Sequence, residues 1–453
     1  LYGDAPQAPS GIAKTFRPFA RPAGKGFGAD AKWRLMRYPL ASSRAAEDGA
    51  VPAWALYHHA PPYKGAVIAC VGINDPEAWS PAAFDAGLRE TVAGLARFLS
   101  RECRFLREAG AEAFAYRPGE PVALGAEVVN AGALEKDVQV RFTVSPPDGA
   151  AAVFSAEIAA VAAAGTRAVV RPPRPVENLG EGRYAVKVEL RSRAAVLDAI
   201  EHAIVVLPRA APAAEEYVTV AGGDFRLRGK KWYPVGVNFW PRYVAGLDTR
   251  DYGTGWLTRG YYDPDEVEDD LARVAALGMN MVAIQLPGVA HIRNVLDFLD
   301  RCGRRDIKVF AYLGAASPLG FDERAVRAIV AAGNLADNTA LFAYDTIWEP
   351  GNWVFGSTQR QRWDRDWENW IVERYGSIEA AERDWGREVP RRGEAVAAPS
   401  DRELGSDGPW RIMVAAYRRF MDDRMSRAWN DATRALRACD PRHLVSFRQG
   451  NTL

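Results

Sequence analysis

Cysteine is scarce in this chain: four in 453 residues, at Cys70, Cys103, Cys302 and Cys439. No two stand at metal-binding or redox spacing, so neither a disulfide framework nor a cysteine-built zinc site is expected. Five histidines form no HExxH pattern and no tight cluster, which argues against a zinc hydrolase. No apolar run reaches the ~18 residues needed to cross a bilayer, so no membrane span is predicted. An excess of charge is also lacking. With 58 Lys and Arg against 57 Asp and Glu, the formal net charge is +1, and neither nucleic acid nor an anionic membrane is an expected partner. No signal-peptide pattern is present, and nothing marks a compartment. The chain opens on Leu1 rather than Met and stops at Gly450-Asn451-Thr452-Leu453, directly after a predicted strand. Both ends therefore read as interior to a longer protein.

What is abundant is tryptophan. There are 14, and seven fall between Trp348 and Trp410. Rigid rings with one polar edge suit sugars, whose axial C–H groups pack on aromatic faces while hydroxyls stay near water. Large α/β proteins also bury Trp, so this observation only leans toward carbohydrate. The length predicts about two to four domains.

Three changes of pattern divide the chain. Residues 1–110 read as a mixed α/β piece, with one apolar strand over 64–72 and helical periodicity over 82–108 (Phe84, Leu88, Val92, Leu95, Phe98, Leu99, Phe105). Residues 111–208 carry short alternating segments separated by turn signals such as Arg117-Pro-Gly and Pro147-Asp-Gly, the pattern of an Ig-like β-sandwich. Residues 209–222, enriched in Ala and Pro at their start, read as a linker. From 223 onward strand and helix alternate, which predicts a parallel sheet with helical crossovers.

In that last region an opening hairpin precedes strands at 235–239, 281–285, 308–312, 341–348 and 443–447. Asp263 and Pro264 supply an N-cap and a first-turn proline for the first helix, which ends at Gly278. The strand count stops at five where a closed (β/α)8 TIM barrel has eight, so 223–453 is expected to be the first half of one. Such a piece leaves strand edges open, and self-association into a homo-oligomer is a predicted consequence.

Barrel chemistry sits where strands end at the C-terminal face. That rule selects Asn238, Gln285, Tyr312, Glu349 and Arg448. Glu349 stands out, because a carboxylate following an apolar strand is costly unless paired or used. The alternative is a salt bridge at the rim. Trp240, Tyr261, Tyr262 and Trp353 are candidate sugar platforms, with packing at the rim as the competing role. Trp363, Trp367 and Trp370 recur at helical spacing and are expected on a buried helix face. Asp345, about 13 Å below Glu349 if the strand is continuous at ~3.3 Å per residue, is too deep to act with it and is expected in an internal polar network.

Here the pattern resembles a known family. Gly236-Val237-Asn238-Phe239-Trp240-Pro241 after the opening hairpin, Trp348-Glu349-Pro350 after the fourth strand, and the tract Trp370–Gly386 are similar to clan A glycoside hydrolases of the β-galactosidase and cellulase type. The resemblance covers roughly 223–453. It implies a retaining mechanism on a β-linked oligo- or polysaccharide, with Glu349 as acid/base and the nucleophile on a later strand, beyond the chain end. No metal or organic cofactor is implied. The family usually has Asn where this chain has Trp348, and that Asn bonds the sugar 2-hydroxyl; indole offers one N–H and no acceptor. Asn352 is the candidate substitute, a turn-forming Asn being its other reading. If Trp348 abolishes chemistry, the chain is a non-catalytic carbohydrate-binding or scaffold protein. Residues 50–108 also resemble, more loosely, the closing part of a glutamine-amidotransferase-like domain, but without a nucleophilic Cys and hence without an implied amidase activity.

Overall fold

The computed structural model describes residues 24–30, 33–38, 53–71, 86–193, 195–247, 251–348 and 356–447. The chain folds as two compact units. The first takes residues up to Glu216 together with Trp232–Val309 and Asp337–Ala340; the second takes Tyr217–Lys231, Phe310–Ala336 and the chain from Leu341 onward.

In the first unit, residues before 104 form an antiparallel sheet of Trp33–Tyr38, Ala53–His58 and Val67–Val71. The single expected strand at 64–72 is thus the third of three. The expected helix over 82–108 is shorter: Ala86–Arg97 is helical, Phe98–Glu102 is a wider turn, and Arg104–Ala111 is a strand. The apolar spacing of Phe98, Leu99 and Phe105 fits either period, and tertiary partners decide between them. Phe105 and Leu106 are buried, while the Arg107 guanidinium bonds Glu127 at 2.6 Å on the neighbouring strand. A bulge between Leu106 and Glu108 breaks the ladder. There the Leu106 N–H donates to Asp198 at 2.9 Å, and Arg34 donates to the Leu106 carbonyl and to the same carboxylate. The expected boundary at 110 falls inside this strand.

Strand Arg104–Ala111 belongs to a three-stranded sheet with Leu124–Asn130 and Arg167–Val170. A second sheet runs Ala115–Tyr116, Ala195–Val206, Gly182–Ser192, Lys136–Ser145, Phe154–Ala162. The two share one apolar core that includes Leu106, Val128, Val140, Phe142, Val188 and Ile204. Inward residues alternate with exposed ones, clearest along Lys136–Ser145, as expected when one face of a strand meets a core. Strand Phe154–Ala162 is absent from the sequence-based expectation. Its alanines and partly exposed alternation give a weak signal, and only pairing along Lys136–Ser145 defines it.

The first unit continues with strand Gly236–Asn238, parallel to Met281–Gln285, and helices Pro264–Ala276 and Ile292–Gly303. Asp263 accepts from the Asp265 and Glu266 N–H groups, as its cap position predicts, and Gly278 stops the turn with φ of +75°. The chain passes to the second unit within strand Lys308–Tyr312.

The second unit holds a small antiparallel sheet, Thr219–Ala221, Asp224–Leu227 and Lys230–Lys231, so the expected linker of 209–222 already contains a strand. Tyr217 is buried there, and its hydroxyl accepts from Arg442 at 3.0 Å. Helix Glu323–Gly333 precedes strand Leu341–Asp345, which runs parallel to Leu444–Ser446. Between these two strands lie helices Asp364–Tyr375 and Ile378–Trp385 and the long helix Arg411–Cys439. At its C-terminal end Asp440 accepts from the Tyr344 hydroxyl at 2.8 Å and pairs with His443 at 2.7 Å. Burial alone would raise the Asp440 carboxyl pKa, but His443 and Tyr344 hold it below the ordinary value.

Trp363, Trp367 and Trp370 are 4%, 0% and 5% exposed, which confirms the packing reading. Trp367 stacks on Trp385 at 5.8 Å between ring centroids and meets Tyr417 edge-on at 5.1 Å. Trp367→Ala is expected to destabilise this unit by about 3–5 kcal/mol, the cost of a large buried cavity. Urea unfolding followed by tryptophan fluorescence measures it; an unchanged midpoint would contradict the packing.

Candidate functional site

In the second unit the strand leading to Glu349 is shorter than expected. It ends at Asp345 rather than Trp348, although the Thr346 N–H still donates to the Ser446 carbonyl at 3.0 Å. The chain then turns: the Ile347 N–H donates to Asp345 Oδ1 at 3.2 Å. The 13 Å separation expected between Asp345 and Glu349 rested on a continuous strand and does not carry over. Asp345 is fully buried, as an internal polar role requires. The Leu313 N–H donates to its carbonyl at 2.9 Å, which ties the end of strand Lys308–Tyr312 to the same point.

Tyr312 and Trp348 are brought together. Their ring centroids lie 5.9 Å apart at an angle of 57°. Both are half-buried. Burial raises the Tyr312 pKa, and the Asp345 charge raises it further, so the phenol stays neutral and can donate or accept a hydrogen bond. Trp348 is the last described residue before position 349. Glu349, Asn352, Trp353 and Arg448 lie outside the described residues.

In the first unit, Asn238 and Gln285 end adjacent parallel strands. Asn238 pairs in register with Ala283, two residues before Gln285, so the two amide side chains project from one face of the sheet. The Phe239 N–H donates to the Ala283 carbonyl at 2.8 Å and closes the pairing. Trp240, next in the chain, is half-buried, and its ring lies 5.8 Å from that of Tyr252. Tyr252 was missed in the sequence. It follows the cap Asp251 as the first residue of a short helical turn, and its only local signal was an aromatic residue between Asp and Gly.

Tyr262 is not a platform. It is 4% exposed, and its hydroxyl donates to Asp297 at 2.6 Å. Burial and the Asp297 charge push its pKa well above the ordinary value. Tyr261 instead packs against Trp33, with centroids at 5.9 Å. Among the described residues, no three or more His, Cys, Asp or Glu stand together as a metal would need. No described helix is long and apolar enough to cross a membrane.

No family model and no curated protein matches this chain. Solved structures give distant overlaps. A β-glucuronidase of Bacteroides uniformis, solved with a cyclophellitol-6-carboxylate aziridine covalently bound, is 12% identical over 76% of this chain and 34% of its own, with a TM-score of 0.27. A glycosyl hydrolase family 2 member from Bacteroides cellulosilyticus is 12% identical over 54% of this chain and 32% of its own, at 0.26. A putative β-galactosidase from Bacteroides fragilis is 12% identical over 64% of this chain and 38% of its own, at 0.25. The chain thus spans about a third of the length of these structures.

Proposed function

We propose that this chain is part of a retaining β-glycoside hydrolase, with Glu349 as the residue that protonates the glycosidic oxygen and then deprotonates water. The observation that carries the reading is the end of strand Leu341–Asp345. A buried apolar strand in a strand–helix alternation leads through a hydrogen-bonded turn to Trp348, whose ring meets Tyr312 at 5.9 Å. The next residue in the chain is Glu349. Retention needs a second carboxylate about 5–5.5 Å from the first; no residue of this chain is assigned that role. The organisation proposed with this function is an Ig-like sandwich of 111–208 enlarged by strand Arg104–Ala111, followed by (β/α)-barrel repeats from 223.

The test is hydrolysis of aryl β-galactosides, β-glucosides and β-glucuronides by the native protein that carries this chain. NMR should detect the β-anomer as the first-formed product. An α-anomer would overturn the retaining mechanism. No release from any substrate would favour the binding or scaffold role, which Trp348 in place of the family's Asn supports.

A further inference from the structure

We infer that Tyr252 and Trp240 form a binding corner for one pyranose ring, with Gln285 as the hydrogen-bonding residue beside it. The substrate class rests on the glycosidase reading; the corner itself rests on geometry within the first unit.

Tyr252 is 60% exposed. A lone exposed aromatic residue is ordinary, but this ring is neither alone nor loosely held. It belongs to a single helical turn, Tyr252–Gly255, whose cap Asp251 accepts from the Thr254 N–H at 3.1 Å and also from the Thr254 hydroxyl. The next residue, Gly253, is buried against Gln285: a Cβ at Gly253 would lie 1.9 Å from Gln285 Oε1. A larger residue at 253 would push the Gln285 carboxamide from this position. The turn is thereby seated on the C-terminal end of strand Met281–Gln285, and Tyr252 is delivered to Trp240.

The two rings stand 5.8 Å apart at 59°, tilted rather than stacked. Two faces at that angle form an open corner. One face can take the axial C–H groups of a pyranose while the other borders its edge. Hydroxyls at that edge need fixed polar partners, and a carboxamide offers both a donor pair and an acceptor. Gln285 is half-buried and its carboxamide lies against Gly253, beside Tyr252 in the chain. Asn238, exposed on the same face of the sheet, lies on the adjoining strand. An apolar ligand would have no use for the two amides.

The test is binding of cellotetraose and of β-1,4-galactotetraose, measured by calorimetry and by tryptophan fluorescence. Glu349→Gln protein is used so that turnover does not consume the probe. At least one saccharide should bind and perturb the fluorescence. Tyr252→Ala should weaken it roughly tenfold, equivalent to about 1.4 kcal/mol, while Tyr252→Phe, which keeps the ring, should hold affinity within about twofold. Tyr252 is a surface residue, so unfolding does not confuse the result; circular dichroism of the alanine variant checks this. Binding unchanged in Tyr252→Ala would overturn the corner, as would failure of both saccharides to bind. Binding that follows the prediction in a protein whose wild type hydrolyses nothing would leave the corner standing and remove the glycosidase reading. Hydrolysis without any effect of Tyr252→Ala would do the reverse.

Discussion

Glu349→Gln is expected to lower turnover of a natural β-linked saccharide by about 10²–10⁴-fold, the usual contribution of a positioned general acid–base. Glutamine keeps the shape and the hydrogen-bonding span of glutamate but can neither deliver nor accept the proton. The loss should depend on the leaving group. A sugar hydroxyl departs poorly without protonation, so both steps suffer with natural substrate. An aryl glycoside with an acidic phenol needs little help in the first step, and its loss should fall mainly in the second. Azide, a nucleophile that needs no deprotonation, should then restore turnover of the aryl substrate and yield a glycosyl azide. A structural role at the rim predicts neither the leaving-group dependence nor the rescue. Unchanged kcat/KM for both substrates would remove Glu349 from the chemistry.

Asp297→Ala is expected to cost about 3–5 kcal/mol of stability, because it strands a buried cation. Asp297 is 0% exposed and Arg301 is 2% exposed. Arg301 Nε donates to Asp297 at 2.7 Å, one turn earlier in the same helix, and its Nη1 donates to Glu268 at 2.5 Å. Tyr262 donates to the same Asp297 carboxylate. Burial alone would lower the Arg301 pKa, but Asp297, with further help from Glu268, keeps it raised. Without Asp297, the guanidinium keeps only part of its compensation, and the buried Tyr262 hydroxyl loses its acceptor. The double variant Asp297→Leu with Arg301→Met removes both charges at similar volume and should recover much of the stability. Urea midpoints for the three proteins measure this, following a probe in the first unit because the chain has two units. A single variant as stable as wild type would contradict the account.

Elements whose signals are local were legible from composition and spacing. Strands Met281–Gln285 and Lys308–Tyr312 fall where the apolar runs placed them, since each run is bounded by turn residues and flanked by helical periods. The helix at 264–276 was marked by Asp263, Pro264 and Gly278, groups that act within one turn of themselves. The tryptophans at 363, 367 and 370 announced their burial by spacing alone.

The readings that failed depended on distant partners. Arg104–Ala111 has a pattern that fits helix or strand, and the neighbouring strand with Glu127 selects the latter. Tyr262 looked like a loop aromatic until Asp297, 35 residues away, accepted its hydroxyl. Strand Leu341–Asp345 was expected to run to Trp348, but the Asp345 carboxylate captures the Ile347 N–H and turns the chain.

The sequence by itself thus determined the alternation of strand and helix, the capped start of helix Pro264–Ala276, and the place in the chain where a carboxylate follows an apolar strand. These are properties of neighbouring residues, written in short-range periodicity and hydrogen-bonding capacity. Tertiary structure alone decided that Tyr252 meets Trp240, that Gly253 lies on Gln285, and that Asp297 neutralises Arg301 and satisfies Tyr262. Each depends on backbones brought close by packing, and burial turns such contacts from weak into decisive because a polar group removed from water must find its partner within the protein.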